Sequence, residues 1–310
     1  MTRIGNTSLD LFPLCLGGNV FGWTIDEPQS FAVLDAFAAA GGNFVDTADM
    51  YSSWVPGSAG GESETILGRW MAARRNRDRM VVATKVGKLA GLDNLSAKTI
   101  RTAAENSLRR LGTDRIDLYY AHADDPATPL AETLAAFDAL VGEGKALHLG
   151  ASNYTAPRLS EALAVSKREG LARYVALQPH YNLVHRAEYE SALAPLCTGE
   201  GLACFPYYSL ASGFLAGKYR PGVKVESARA GGAAKYLDDR GLRVLAALDA
   251  IAAQRETTVA AVSLAWLLTR PGVAAPIASA RTPEQLAQLL PAVSLRLTDD
   301  EVRLLDAASA

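Results

Sequence analysis

Residues Asn43–Tyr51 read NFVDTADMY. Phe44 and Val45 form an apolar run between Asn43 and Asp46, the pattern of a short buried strand. A carboxylate stands where that run stops, and Tyr51 follows on the next loop. Burying a carboxylate is costly unless it is paired or hydrogen-bonded, so the strand end is a candidate site. Taken alone, the stretch also fits an aspartate that closes a turn or caps the next helix, followed by an ordinary half-buried aromatic. The rest of the chain decides between the two.

The expected strand at 43–46 belongs to a repeated strand-then-helix rhythm. Short apolar runs predict further strands at 13–17, 80–86, 116–122, 146–152, 174–179, 203–205 and 273–277. Helical spacing predicts the intervening helices at 28–40, 63–71, 96–111, 129–143, 155–169, 188–200 and 282–290, with stops such as Gly41-Gly42 and Gly112. Further helices are expected at 240–255, 258–269 and 299–308, and a hairpin at 3–12 with Gly5-Asn6 as its turn. Short strands alternating with longer helices imply a parallel sheet covered by helices. A doubly wound open sheet would carry a Gly-rich dinucleotide turn after its first strand, and Leu16-Gly17-Gly18-Asn19 lacks that spacing. The expected fold is therefore α/β: a (β/α)₈ TIM barrel with an N-terminal β-hairpin and extra C-terminal helices. With no dividing linker, residues 1–310 are expected to form one domain.

Composition narrows the function. The 310 residues carry a formal net charge of −2, so no global basic field points to nucleic acid or an anionic membrane. Arg74, Arg75, Arg77 and Arg79 read as a solvated helix end. Cys15, Cys197 and Cys204 are odd in number and scattered, which argues against a disulfide framework and suits a reducing cytosol. No Cys/His cluster has zinc spacing. The first ten residues lack the apolar core of a signal peptide, and no apolar run is long enough to span a bilayer. The expected setting is the cytoplasm.

In such a barrel the active site lies at the C-terminal ends of the strands. Asp46 ends the second expected strand, Lys85 the third and His122 the fourth. Ser152-Asn153 end the fifth and Gln178 the sixth, and Tyr51 follows the second. Each has an ordinary structural explanation, but together they occupy matching positions. That cluster permits proton transfer to a carbonyl oxygen. An adjacent ammonium lowers a tyrosine pKa from its usual ~10 toward the working range. Asp46 would hold Lys85 charged, and His122 would donate to the substrate oxygen. No side chain stands out as a nucleophile, so hydride must come from a cofactor.

Several ordered motifs carry a family resemblance: FVDTADMY (44–51), GESE (61–64) with Leu67-Gly68, ATK (83–85) and DLYYAH (117–122). Gly144-Lys145, LGASN (149–153), QPHYN (178–182), GFLAGKY (213–219) and PIASAR (276–281) continue it. The chain resembles the aldo-keto reductases from the hairpin to the last helix. The resemblance implies a catalytic tetrad of Asp46, Tyr51, Lys85 and His122, with Tyr51 as general acid in reduction of an aldehyde or ketone. It implies that Ser152, Asn153 and Gln178 hold a nicotinamide carboxamide and that Tyr207 stacks on its ring. The 209–218 loop would follow the pyrophosphate through Leu210, Gly213 and Lys218. Arg281, with Ser279 and Gln285 beside it, would meet a 2′-phosphate, since a guanidinium and a helix N-terminus both suit that dianion. The implied cofactor is NADP(H) and the partner a small carbonyl compound; the oligomeric state is not legible.

Two positions depart from the family's pattern. Tyr207-Tyr208-Ser209-Leu210 replaces its usual Tyr-Ser-Pro-Leu, and Gln288-Leu289 replaces the adenine-contacting Glu-Asn of many relatives. The long loop SSWVPGSAGG (52–61) suggests a substrate-side wall, with Trp23, Trp54 and Tyr120 as aromatic candidates. Residues 221–235 suggest a flap over the cofactor. The resemblance also leaves open a cofactor-binding subunit like the potassium-channel β subunits, and a sugar or pyridoxal dehydrogenase working in the oxidative direction.

Overall fold

In the computed structural model, residues 1–4, 7, 9–226 and 230–310 are described. Strands β1 (Thr2–Arg3) and β2 (Asp10–Leu11) pair antiparallel, while the expected Gly5-Asn6 turn lies outside the described residues. Eight parallel strands follow: β3 (Cys15–Gly17), β4 (Phe44–Asp46), β5 (Val81–Val86), β6 (Ile116–Ala121), β7 (Ala146–Ser152), β8 (Tyr174–Gln178), β9 (Ala203–Cys204) and β10 (Ile277–Ala278). Their order is β10-β3-β4-β5-β6-β7-β8-β9. The free edges meet through a parallel bridge between Cys204 and Val273. The Ala274 N–H donates to the Cys204 carbonyl and the Ile277 N–H to the Pro206 carbonyl, both at 2.9 Å. The sheet thus closes into the expected barrel.

The period-two alternation of strands separates two cores. Cys15, Phe44, Ala83, Leu118, Tyr120, Ala176, Phe205 and Ile277 pack in one buried cluster, to which the N-terminal segment adds Ile4, Leu9 and Leu11. Val45, Val82, Val86, Tyr119, Ala121 and Leu149 join the helices in the other. Interior space is tight: a Cβ on Gly150 would lie 2.3 Å from the Tyr120 ring, so only glycine fits opposite that tyrosine. Tyr120 is fully buried in this core, which corrects its expected place on a substrate wall.

The helices begin where local chemistry satisfies their free N–H groups. Asp26 forms a capping box with Gln29 at Glu27–Ala39, and Ser96, Thr155, Thr258 and Thr298 cap later helices. The expected helix at 188–200 is instead a π-turn (Tyr189–Leu193) leading into Ala194–Glu200. Pro195 cannot donate to the Ser191 carbonyl, and the wider i→i+5 register accommodates it. The helix expected at 282–290 spans only Pro283–Ala287 before a 3₁₀ turn at Leu290–Val293, which contains Pro291. The strand expected at 273–277 runs as Ile277–Ala278, with Val273 contributing only its bridge. Within 221–235 a short helix forms at Ala230–Ala234. Among the described residues no helix is long and apolar enough to cross a membrane.

Candidate active site

Because the strands are parallel, their C-terminal ends share one rim of the barrel. Lys85 sits at that rim with its side chain completely buried. Its ammonium donates to Asp46 Oδ2 at 2.7 Å, to the Thr47 carbonyl at 2.7 Å and to the Tyr51 hydroxyl at 2.9 Å. An ammonium has three donors, so each is satisfied. The Tyr51 hydroxyl in turn donates to Asp46 Oδ2 at 3.2 Å, and Gln178 Nε2 donates to Asp46 Oδ1 at 2.9 Å. The buried charge pair is thus surrounded by hydrogen bonds, the condition under which such a pair is tolerated.

The electrostatics correct one expectation. Burial pushes the Tyr51 hydroxyl well above the usual tyrosine range, and the Asp46 carboxylate raises it further. The expected lowering by Lys85 does not prevail, so Tyr51 keeps its proton at neutral pH. His122, just beyond β6, has its ring centroid 6.2 Å from that of Tyr51. Burial, then Lys85 and Lys88, hold its pKa well below the usual histidine range. It is therefore a neutral imidazole with a single N–H to donate.

The next strands bring a second group together. Ser152 Oγ donates to the Gln178 carbonyl at 2.9 Å. Asn153 adopts a left-handed backbone (φ 56°), which asparagine tolerates, and its Nδ2 donates to the His122 carbonyl at 2.8 Å. The Tyr207 hydroxyl donates to Asn153 Oδ1 at 2.7 Å. Downstream, Tyr208, Ala211 and Ser212 also have positive φ, as does Gly213 at 93°. Such a run of strained non-glycine residues is characteristic of ligand clamps, and nothing in the residue types announces it. It contains Leu210, and a Cβ on Gly213 would lie 3.6 Å from Lys218 Cε, so the loop brings these three residues near one another.

Beyond β10, Ser279 Oγ donates to Asn19 Oδ1 at 2.8 Å, and the Arg281 N–H donates to Gln285 Oε1 at 3.0 Å. Among the described residues no carboxylate lies within 4.0 Å of the Arg281 guanidinium. The helix that follows, Pro283–Ala287, is too short for the expected dipole contribution, so the guanidinium alone carries that argument.

Aromatic rings flank the mouth. The Trp54 ring, 43% exposed, meets Trp23 edge-to-face at 5.4 Å and Tyr51 at 6.2 Å.

The sequence reading missed a second buried polar cluster, behind β5. Thr84 Oγ1 donates to Glu64 Oε1 at 2.5 Å, and Arg110 Nε donates to Glu64 Oε2 at 2.6 Å. Asp49, whose N–H donates to the Lys85 carbonyl at 3.3 Å, is fully buried, and among the described residues neither carboxyl oxygen has a hydrogen-bond partner. Burial, then Glu64, raises its pKa to about 7. The available signal was Asp49 itself, a second acidic residue within NFVDTADMY.

A profile of the Aldo/keto reductase family matches residues 13–310. The chain belongs to this family. It is an oxidoreductase. Norsolorinic acid reductase A of Aspergillus parasiticus is 31% identical, over 96% of this chain and 77% of its own length. An aryl-alcohol dehydrogenase of Pestalotiopsis microspora is also 31% identical, over 96% of this chain and 79% of its own. A probable voltage-gated potassium channel subunit beta of Oryza sativa is 32% identical, over 94% of this chain and 90% of its own. Aldo/keto reductases typically use NAD(P)H. The rim of this aldo/keto reductase fits such a group: side-chain amides at Asn153 and Gln178, an anchored Tyr207 ring, a strained loop and the Arg281 guanidinium, which among the described residues has no carboxylate within 4.0 Å.

Proposed function

We propose that this aldo/keto reductase is an NADP(H)-dependent reductase of aromatic aldehydes and ketones. The observation that carries the reading is the Lys85 ammonium, held between the Asp46 carboxylate and the Tyr51 hydroxyl. When bound, NADPH supplies the hydride. Tyr51 gives its proton to the carbonyl oxygen, and the 2.9 Å contact with Lys85 stabilises the phenolate left behind. Asp46 and the Thr47 carbonyl fix the ammonium in place, and His122 donates to the same substrate oxygen.

Ser152, Asn153 and Gln178 would hold the nicotinamide carboxamide, and Tyr207 would lie against its ring. Leu210, Gly213 and Lys218 would contact the pyrophosphate, with Arg281, Ser279 and Gln285 at the 2′-phosphate. Trp23 and Trp54 would face an aryl group. The names of the fungal relatives, a norsolorinic acid reductase and an aryl-alcohol dehydrogenase, support an aromatic substrate. The enzyme would act as one domain over residues 1–310. A cytoplasmic setting is supported by three free, buried thiols, Cys15, Cys197 and Cys204.

The similarity to a potassium-channel β subunit favours a second reading, a protein that binds the nucleotide chiefly to report on it. Fluorescence titration with NADPH and NADH, followed by NADPH consumption with 4-nitrobenzaldehyde, separates the two. Tight NADPH binding with turnover supports the reductase. Binding without turnover across a panel of carbonyls supports the second reading. Binding of neither nucleotide removes both.

A further inference from the structure

Tyr207 is held at both ends. Its hydroxyl donates to Asn153 Oδ1, and its backbone N–H donates to the Pro179 carbonyl at 2.9 Å, beside a parallel bridge to His180. The His180 ring lies 5.4 Å from the Tyr207 ring at an interplanar angle of 20°. His185 stacks on His180 at 3.8 Å and 12°, giving a run of three near-parallel rings. A tight turn makes this possible: Asn182 and His185 exchange backbone hydrogen bonds at 3.2 and 3.0 Å, returning His185 to His180. The Asn182 side chain donates to the Tyr208 carbonyl at 2.9 Å, which ties the turn to the Tyr207 segment. Tyr208 meets His180 edge-on at 5.3 Å.

We infer that His180 is a positioning residue for the nicotinamide, acting through the Tyr207 ring. The inference rests on the reading of Tyr207 as the surface against which that ring lies. A tyrosine anchored only at its hydroxyl can still tilt about its long axis. A flat neighbour narrows that freedom, so less ordering remains to be done when a ligand binds. Histidine suits the position because its ring is flat and is uncharged at neutral pH. Burial, then His185 and Lys235, lower its pKa to about 4. The motif QPHYNLVH therefore does two things: Gln178 reaches Asp46, and the two histidines back Tyr207.

The test is isothermal titration of the full-length protein with NADPH and with adenosine 2′,5′-bisphosphate, which lacks the nicotinamide. His180→Leu is expected to weaken NADPH roughly three- to tenfold, the range an aromatic pair corresponds to, and to leave the bisphosphate within about twofold. His180→Phe, which restores a flat ring, is expected to recover most of the loss. His185→Leu, one ring further out, is expected to give a smaller change in the same direction and serves if His180→Leu does not fold. Tyr207→Leu is the control for the underlying reading. If it weakens NADPH while neither histidine variant does, the inference is overturned and the reading stands. If His180→Leu weakens both ligands equally, the residue is merely structural and the inference is likewise overturned. If Tyr207→Leu leaves NADPH binding unchanged, the reading fails and the inference with it.

Discussion

The Lys85 ammonium lies 2.9 Å from the Tyr51 hydroxyl while remaining completely buried. One residue is invisible to solvent and the other reaches the mouth of the barrel. Their contact is how a charge fixed in the interior acts on the hydroxyl proton of Tyr51. A buried ammonium also responds sharply to the loss of any partner, so the arrangement can be tested through stability as well as turnover.

Lys85→Met removes the ammonium from Asp46 and leaves its carboxyl, among the described residues, with Gln178 and Tyr51 as hydrogen-bond donors. Breaking a buried pair from one side costs about 3–5 kcal/mol. Urea denaturation is expected to show that loss, and turnover should disappear. A variant of wild-type stability would mean that the pair contributes little to the fold.

Arg281→Ala is expected to weaken NADPH by about 10- to 100-fold, the worth of a hydrogen-bonded charge, and to leave NADH nearly unchanged. Titration of each nucleotide decides it. Equal losses for both would remove the 2′-phosphate role.

Asp49 makes a pH-dependent prediction. Its folded-state pKa, about 7, lies above the ~4 of an unfolded aspartate, so the folded chain binds that proton more tightly. The stability this gives is complete below pH ~4 and is lost as the pH rises to about 7. Asp49→Asn removes the ionisation, so the variant should gain on the wild type across that window, by on the order of 4 kcal/mol at pH 8. Denaturation at pH 4 and pH 8 measures the difference. A gap of the same size at both values would show that Asp49 does not titrate in the fold as described.

Trp54→Ala removes the outer ring of the Trp23–Trp54–Tyr51 group. KM for an aromatic aldehyde is expected to rise roughly fivefold, in line with the loss of one or two aromatic contacts, while KM for a short aliphatic aldehyde changes little. Parallel rises for both substrates would remove the aryl-binding role.

What could be read in the sequence follows from locality. The VVATKV stretch of β5 opens on a short apolar run and carries its one charged residue near its end, which is why Lys85 could be assigned to a strand end at the rim. The closing strand was displaced because its pairing runs through the Pro206 and Pro276 carbonyls, and neither proline offers an N–H to mark a ladder. The π-turn before Pro195 is a register adjustment with no residue signature beyond the proline. The cluster behind β5 joins Glu64 to Arg110 across 46 residues, and only the barrel brings them together. The Tyr51 pKa moved opposite to expectation for a related reason. Spacing shows which charges are near, but not how completely the hydroxyl is removed from water.

The most direct measurement compares NADPH affinity and 4-nitrobenzaldehyde reduction in the wild type and Tyr51→Phe. The phenylalanine keeps the ring beside Trp54 and removes only the hydroxyl held by Lys85. The expected result is a fall in turnover of about 10²- to 10⁴-fold, the usual contribution of a positioned general acid, with the NADPH Kd within about twofold of wild type. Retention of most of the turnover would contradict the assignment of Tyr51 as the proton donor.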